Sequence, residues 1–257
     1  MKQSYYEIDC TAFMCFFQIK INDVEVFSLN VDGQTTADIP INHGILERGT
    51  QEIEVKVFPL LEKKELHKAA FVKYKIVEYD VSTGKFELIS QLEGHRTLPV
   101  IEGIPFMAHK SKFISNVSYK IEAWQKSQNL KDLKIDVREI LIVEYNKIIK
   151  DISSGNYSNY IKKNEISEKN TAIAMYLNEN EAKNRQTNLI ESLKSGLEAI
   201  PVSNDVIVEY SAYGKLACLK TINGESVLRF INKETNEELI IPITFHIPEG
   251  KTEFEVI

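Results

Sequence analysis

Five histidines and three cysteines are the residues of this chain best suited to chemistry. His43, His67, His95, His109 and His246 are scattered, with no HExxH or HxH among them, so their spacing builds no dedicated zinc site. His95 and His109 bracket the irregular stretch GHRTLPVIEGIPFMAHK, residues 94–110, and Glu93, Arg96 and Glu102 lie close in sequence. Side chains of this kind on a loop rim can contact a partner or a small ligand; solvated loop residues are the ordinary alternative. Cys10 and Cys15 sit in the apolar run CTAFMCFFQIKI. A reactive thiolate needs a basic, open setting, so buried thiols are expected there. An odd cysteine count without paired spacing gives no disulfide framework. Neither GxGxxG, GxxxxGK[ST] nor GxSxG occurs, which leaves no familiar phosphate cradle or nucleophile elbow. No cofactor and no metal are expected.

A second place for chemistry is INHGILERGTQEIEVKVF, residues 41–58, where His43 and Gly44 stand side by side. The pair either lines a site or only carries the chain between strands. Gly44 and Gly49 stand where turns need them, which favours the structural reading; a rim contact by His43 is the alternative.

The elements that must position these residues follow two rhythms. The first half alternates. Phe17, Ile19 and Ile21 interleave with Gln18 and Lys20, and Asn22-Asp23 tolerates the backbone of a two-residue hairpin turn before VEVFSLNV. TTADIPI, QEIEVKVF, AAFVKYKIVEYD, FELISQL and FISNVSYKIEAW read as further strands. Six or seven strands separated by turns predict an antiparallel β-sandwich over residues 1–130. The second half changes period. Val137, Ile140, Leu141, Tyr145, Ile148 and Ile152 recur at helical intervals behind a possible N-cap, Asp136. ISEKNTAIAMYL and ENEAKNRQTNLIESLKSGLEAI predict two more helices, the last closed by Pro201. DVIVEYSA, KLACLKTI, SVLRFINK and ELIIPITFHI then predict a β-meander, with Asn223-Gly224 as a hairpin turn and Pro242 marking an edge strand. The expected class is α+β, with an α+β domain over 131–257 and the boundary in SQNLKDLKID, residues 127–136.

Composition narrows the function classes. The chain has 257 residues, 43% of them hydrophobic, and a net charge of −6. It is long enough for a real core. It lacks the basic excess and the motifs of a nucleic-acid binder. No apolar run is long enough to span a membrane, and the start does not read as a signal peptide, so a cytoplasmic protein without membrane contact is expected.

A β-rich first half, then helices, then the meander YGKLACLKTINGESVLRFINKETNEELIIPITFHIPEGKTEFEVI resembles two-domain bacterial immunity-type proteins that neutralise antibacterial toxins. That resemblance implies a non-enzymatic binder of a cognate toxin and carries over no catalytic residue. Interfaces rest on a few aromatic and arginine anchors. The candidate partner-binding residues are His95, Arg96, Phe106, His109, Tyr157, Tyr160 and Tyr213. Two alternatives stay open. The sandwich could bind a carbohydrate or small ligand, with Trp124 and loop 94–110 as its platform. The C-terminal half could hold a small enzyme using His246 and Glu209. The final strand, TEFEVI, could also lend its edge to a second copy.

Overall fold

In the computed structural model, which describes residues 2–92, 94–101 and 103–257, the chain is α+β and forms two compact units. The first comprises Met1–Ile121 with Ala174–Tyr176, the second Glu122–Ile173 with Leu177–Ile257. Each has its own hydrophobic core.

The first unit is one antiparallel sheet. Its strands are β1 (Ser4–Ile21), β2 (Val24–Pro40), β3 (Glu47–Phe58), β4 (Phe71–Asp80), β5 (Glu87–Gln91), β6 (His95–Arg96) and β7 (Met107–Lys120). Asn22 and Asp23 take φ of 51° and 62° and close the β1–β2 hairpin, as a primed two-residue turn requires. TTADIPI is not a separate strand; it continues β2 past Gly33. Asp32 and Gly33 together face the single residue Met14, so β2 carries a bulge there while Met14 turns to φ 51°. At this point β1 changes neighbours on its other edge. Ser4–Phe13 pairs with β4, and Phe16–Ile21 pairs with β3. The sheet therefore curls, and its two halves face each other across one core.

The expected sandwich is thus two layers of one folded sheet, with a bent strand as the corner. The inward residues close it. Ile8, Ile19, Ile21, Ile53 and Val57 are wholly buried, each burial stabilising by roughly 1.5–3 kcal/mol. Polar side chains tie the layers as well. Tyr6 of β1 accepts a hydrogen bond from the Asn116 amide of β7 at 2.8 Å, and the Tyr74 hydroxyl of β4 lies 3.4 Å from Ser111 Oγ of β7.

The His43-Gly44 question resolves here. Asn42–Gly44 form one 3-10 turn. Gly44 is required by close packing, because a Cβ on it would sit 2.8 Å from Ile21 Cβ. The His43 side chain reaches solvent, but the chain packed around its ring desolvates it enough to lower its pKa to about 4. The buried member is Asn42. Its Oδ1 accepts from the Tyr6 amide at 2.6 Å, and its Nδ2 donates to the carbonyls of Ser4 (3.2 Å) and Ala174 (3.0 Å). Its own carbonyl accepts from the Tyr119 hydroxyl at 3.1 Å. Asn22 completes the corner: its Nδ2 donates to the Gly44 carbonyl and to Gln51 Oε1, and its Oδ1 accepts from the Glu52 amide.

The second unit holds α1 (Val137–Ser153), α2 (Tyr157–Ala174, whose last residue belongs to the first unit) and α3 (Glu179–Lys194). Asp136 caps α1 by accepting from the Glu139 amide, and Asn178 opens α3 with a reciprocal capping box. α2 begins earlier than the apolar periodicity indicated, at Tyr157, and α3 ends before Gly196, whose φ is 85°. α1 turns Leu141, Tyr145 and Ile148 into the second core, where the Tyr145 hydroxyl donates to the Ile243 carbonyl at 2.9 Å. The expected meander divides into two small sheets. One has the order β14 (Glu255–Val256), β13 (Phe245–His246), β10 (Leu216–Lys220), β9 (Ile207–Ser211); the other runs β12 (Glu238–Ile240), β11 (Arg229–Ile231), β8 (Glu198–Ala199). Pro242, which has no amide hydrogen to give a ladder, falls in the break between β12 and β13.

Replacing Asn42 leaves the Tyr6 amide and two carbonyls buried without a partner. Asn42→Ala is expected to cost about 3 kcal/mol in urea denaturation, whereas His43→Ala next to it should fall within about 0.5 kcal/mol of the parent.

Candidate functional site at the rim of the curled sheet

Residues 97–101 and 103–106 lie outside the sheet between β6 and β7. At the base of this loop His95 and His109 stack face to face, ring centroids 3.5 Å apart and planes 1° from parallel. Backbone pairing sets up this contact. β6 is held on β4 by Tyr74↔His95 and Lys73↔Arg96, while β7 is held on β3 by Val55↔His109. The Tyr74 ring backs both imidazoles, at 6.4 Å from His95 and 6.5 Å from His109. β6 approaches β4 so closely that Gly94 has no room for a side chain: a Cβ there would lie 1.8 Å from the Tyr74 carbonyl oxygen. Arg96 lies over the Phe71 ring, 4.4 Å from its centroid, a cation–π contact that also covers apolar surface. Thr97 anchors the loop's start, its Oγ1 accepting from the Val72 amide and its own amide donating to the Val72 carbonyl.

The stacked His95 ring tolerates protonation poorly. Burial first, and then the like charge of His109, hold the pKa of His95 below the usual histidine value. Burial also raises the Tyr74 phenol, against a smaller opposing effect of its Ser111 hydrogen bond, so this group stays neutral beside the pair at ordinary pH.

Past this clasp the loop turns apolar side chains to solvent. Leu98 is 76% exposed, Ile101 70% and Phe106 51%. Phe106 leans on Phe58 at the end of β3, ring centroids 6.2 Å apart. Four of the sequence candidates, His95, Arg96, Phe106 and His109, therefore share one rim. Glu93 and Glu102 lie outside the described residues. What the sequence reading missed is Leu98 and Ile101: an apolar pair between prolines and glycines was the available signal.

The remaining candidates lie in the second unit. Tyr157 opens α2, half-buried, with the Lys194 ammonium 5.3 Å from its ring centroid. Tyr160 is 4% exposed and packs in the second core, so it presents no contact surface. Tyr213 is exposed on a 3-10 turn at φ 59°. Trp124 also belongs to this unit, half-buried on its own 3-10 turn.

His246 and Glu209 make no shared site among the described contacts. His246 Nδ1 lies 2.6 Å from Ser127 Oγ, and its Nε2 is buried without a hydrogen-bond partner. An orphan lone pair costs less than an orphan N–H, which favours the tautomer with Nδ1 donating to Ser127. Burial, and secondarily Lys251, lower the pKa of His246 against the pull of Glu255. Ser127 and His246 are both almost wholly buried, and the pair fastens a turn to β13. Glu209 pairs with Lys220 at 3.6 Å. Among the described residues no group of three or more His, Cys, Asp or Glu is placed to hold a metal ion, and no helix is long and apolar enough to cross a membrane. Cys10 and Cys15 are buried as expected, and burial pushes their thiols up to about 12 and about 11.

The clasp makes the rim sensitive to acid. The unfolded chain takes up a proton on His95 near the ordinary histidine pKa and the folded chain only at lower pH, so His95 contributes stability that is present above about pH 6.5 and is lost as pH falls toward its folded value. His43, whose pKa burial lowers to about 4, and His246 act in the same direction. Amide exchange of residues 97–106 should therefore speed up between pH 7.5 and 5.5 relative to the β1–β3 ladder, and His95→Gln should flatten that change. Gly94→Ala should separate the rings, seen as altered histidine ring proton shifts. Set beside family models, curated proteins and solved structures, the chain matches none of them.

Proposed function

We propose that the chain is a non-enzymatic protein-binding protein whose contact surface is the rim formed by loop 97–106 and its histidine clasp. The observation that carries this reading is the exposure of Leu98, Ile101 and Phe106 on a short loop held at both ends by paired strands. Apolar side chains concentrated on a fixed loop mark interaction sites more often than scattered surface leucines do. A loop tethered at both ends loses less freedom on binding. Arg96 and the imidazoles supply a polar edge around the apolar tip, the arrangement in which anchor residues contribute most.

Within this reading, the finer proposal is an immunity protein that covers a cognate antibacterial toxin. Its support is the order of modules in the sequence, together with the acidic net charge of −6, which suits a basic partner. The occupant of the rim is then a folded toxin domain, met by a preformed surface.

The test is co-expression with the toxin-domain protein encoded beside this gene, followed by titration calorimetry of the purified pair. A one-to-one complex is expected. Leu98→Ser and Ile101→Ser, both at exposed positions, should leave thermal stability within about 0.5 kcal/mol of the parent and weaken binding roughly tenfold or more each. Unchanged affinity in the double variant would move the interface elsewhere, and absence of any complex would remove the immunity reading.

A further inference from the structure

The bend that builds the first unit also opens a wedge. β1 passes from β4 to β3 at this bend, and the twelve-residue connection between Phe58 and Phe71 joins those same two strands. Leu66 and Ala70 of that connection pack into the first core, 7% and 3% exposed. A pocket of about 360 Å³ remains, lined by Met14, Leu60, Lys63, Lys64, Glu65 and His67. Its volume lies within the range of small-molecule sites.

We propose that this pocket binds a monoanionic amphiphile, its apolar tail against Met14 and Leu60 and its head group between Lys63 and Lys64. The interior is mostly carbon, which suits a hydrocarbon chain. Met14, which the bend holds at φ 51°, brings an unbranched, adaptable thioether to the floor, a side chain that moulds to varied apolar shapes. Behind the lining, Phe13 stacks on Phe71 at 6.0 Å and meets the lining residue His67 edge-on at 6.5 Å. The rim carries the charge. Lys63 and Lys64 are exposed and, among the described residues, neither has a carboxylate within ion-pair distance. With Glu65 beside them, two ammonium groups and one carboxylate leave a single positive charge, which one carboxylate or sulfate head group neutralises. A dianion would face Glu65 in excess, and a cationic head would meet both lysines.

The test uses the full chain and decanoate below its micelle concentration, read by titration calorimetry and by NMR shifts of the Met14 methyl and the residue 60–67 amides. Saturable one-to-one binding is expected, roughly tenfold tighter than that of decyltrimethylammonium. The double variant Lys63→Gln/Lys64→Gln, which leaves Glu65 as the one charge, should reverse that preference while keeping the fold, and Leu60→Asp should abolish binding of both. Absence of saturable binding, or equal affinity for the two head groups, overturns the proposal. Association with anionic lipid vesicles but not with free decanoate also overturns it, in favour of docking on a lipid surface. None of these readouts involves the rim loop, so this site stands or falls separately from the partner-binding reading.

Discussion

Everything in the first unit depends on one strand serving two neighbours. β1 is 18 residues long and keeps β2 along one edge from Glu7 to Ile21, yet its other edge is shared in sequence by β4 and β3. A flat sheet cannot satisfy that demand and also hide its apolar face. The Met14 conformation and the Asp32-Gly33 bulge resolve the conflict by folding the ladder on itself, so that one surface becomes both walls of a core. The cost is local: an L residue in the left-handed region is disfavoured by roughly 1–2 kcal/mol. The return is the burial of many isoleucines and valines. The loop rim and the wedge pocket are both by-products of that fold, since each lies where a layer ends or parts from its neighbour.

Polar side chains then fix what apolar packing leaves undetermined. Hydrophobic contact is non-directional, and a curled sheet could slide in register without losing much area. Asn42, Asn22 and Gln51 remove that freedom, because their amides match particular backbone groups and would be stranded by a slip. The two hydrogens of Gln51 Nε2 are shared among the carbonyls of Glu47 and Gly49 and Ser115 Oγ, each 3.0 Å away. The histidine clasp works at the rim in a similar sense, since its stacking requires β6 and β7 to keep their places on β4 and β3.

Local grammar was readable in the sequence and convergence was not. The Asn22-Asp23 turn, the Asp136 cap and the α1 stripe depend on neighbours within a few residues, and each was legible from spacing. TTADIPI was split from its strand because Gly33 reads as a turn; a bulge and a turn use glycine for the same backbone freedom, and only the partner strand tells them apart. Asn42 was overlooked beside His43, although a carboxamide between Ile41 and the Gly44-Ile45 pair was the more telling oddity. His95 and His109 were noticed as brackets of one loop. Their stacking depends on Tyr74, which belongs to a strand no local pattern connects to them. The meander broke at Pro242, where an alternating apolar pattern outweighed the missing amide in the sequence reading.

Tyrosine caps on β7 carry a last consequence. β7 is an outer strand paired only with β3, and its Asn116 and Ser118 amides donate instead to the hydroxyls of Tyr6 and Tyr176. A phenol takes the hydrogen bond that another strand would want, and it offers no continuing ladder in return. These bonds fall where the β3–β7 register shifts between Ser115 and Lys120, so this stretch of the edge presents fewer free amides to a neighbouring strand. The two caps are not equally secure: Tyr6 is wholly buried, whereas the Tyr176–Ser118 bond lies at the surface, so occupation of the Tyr176 hydroxyl would hand the Ser118 amide back to solvent.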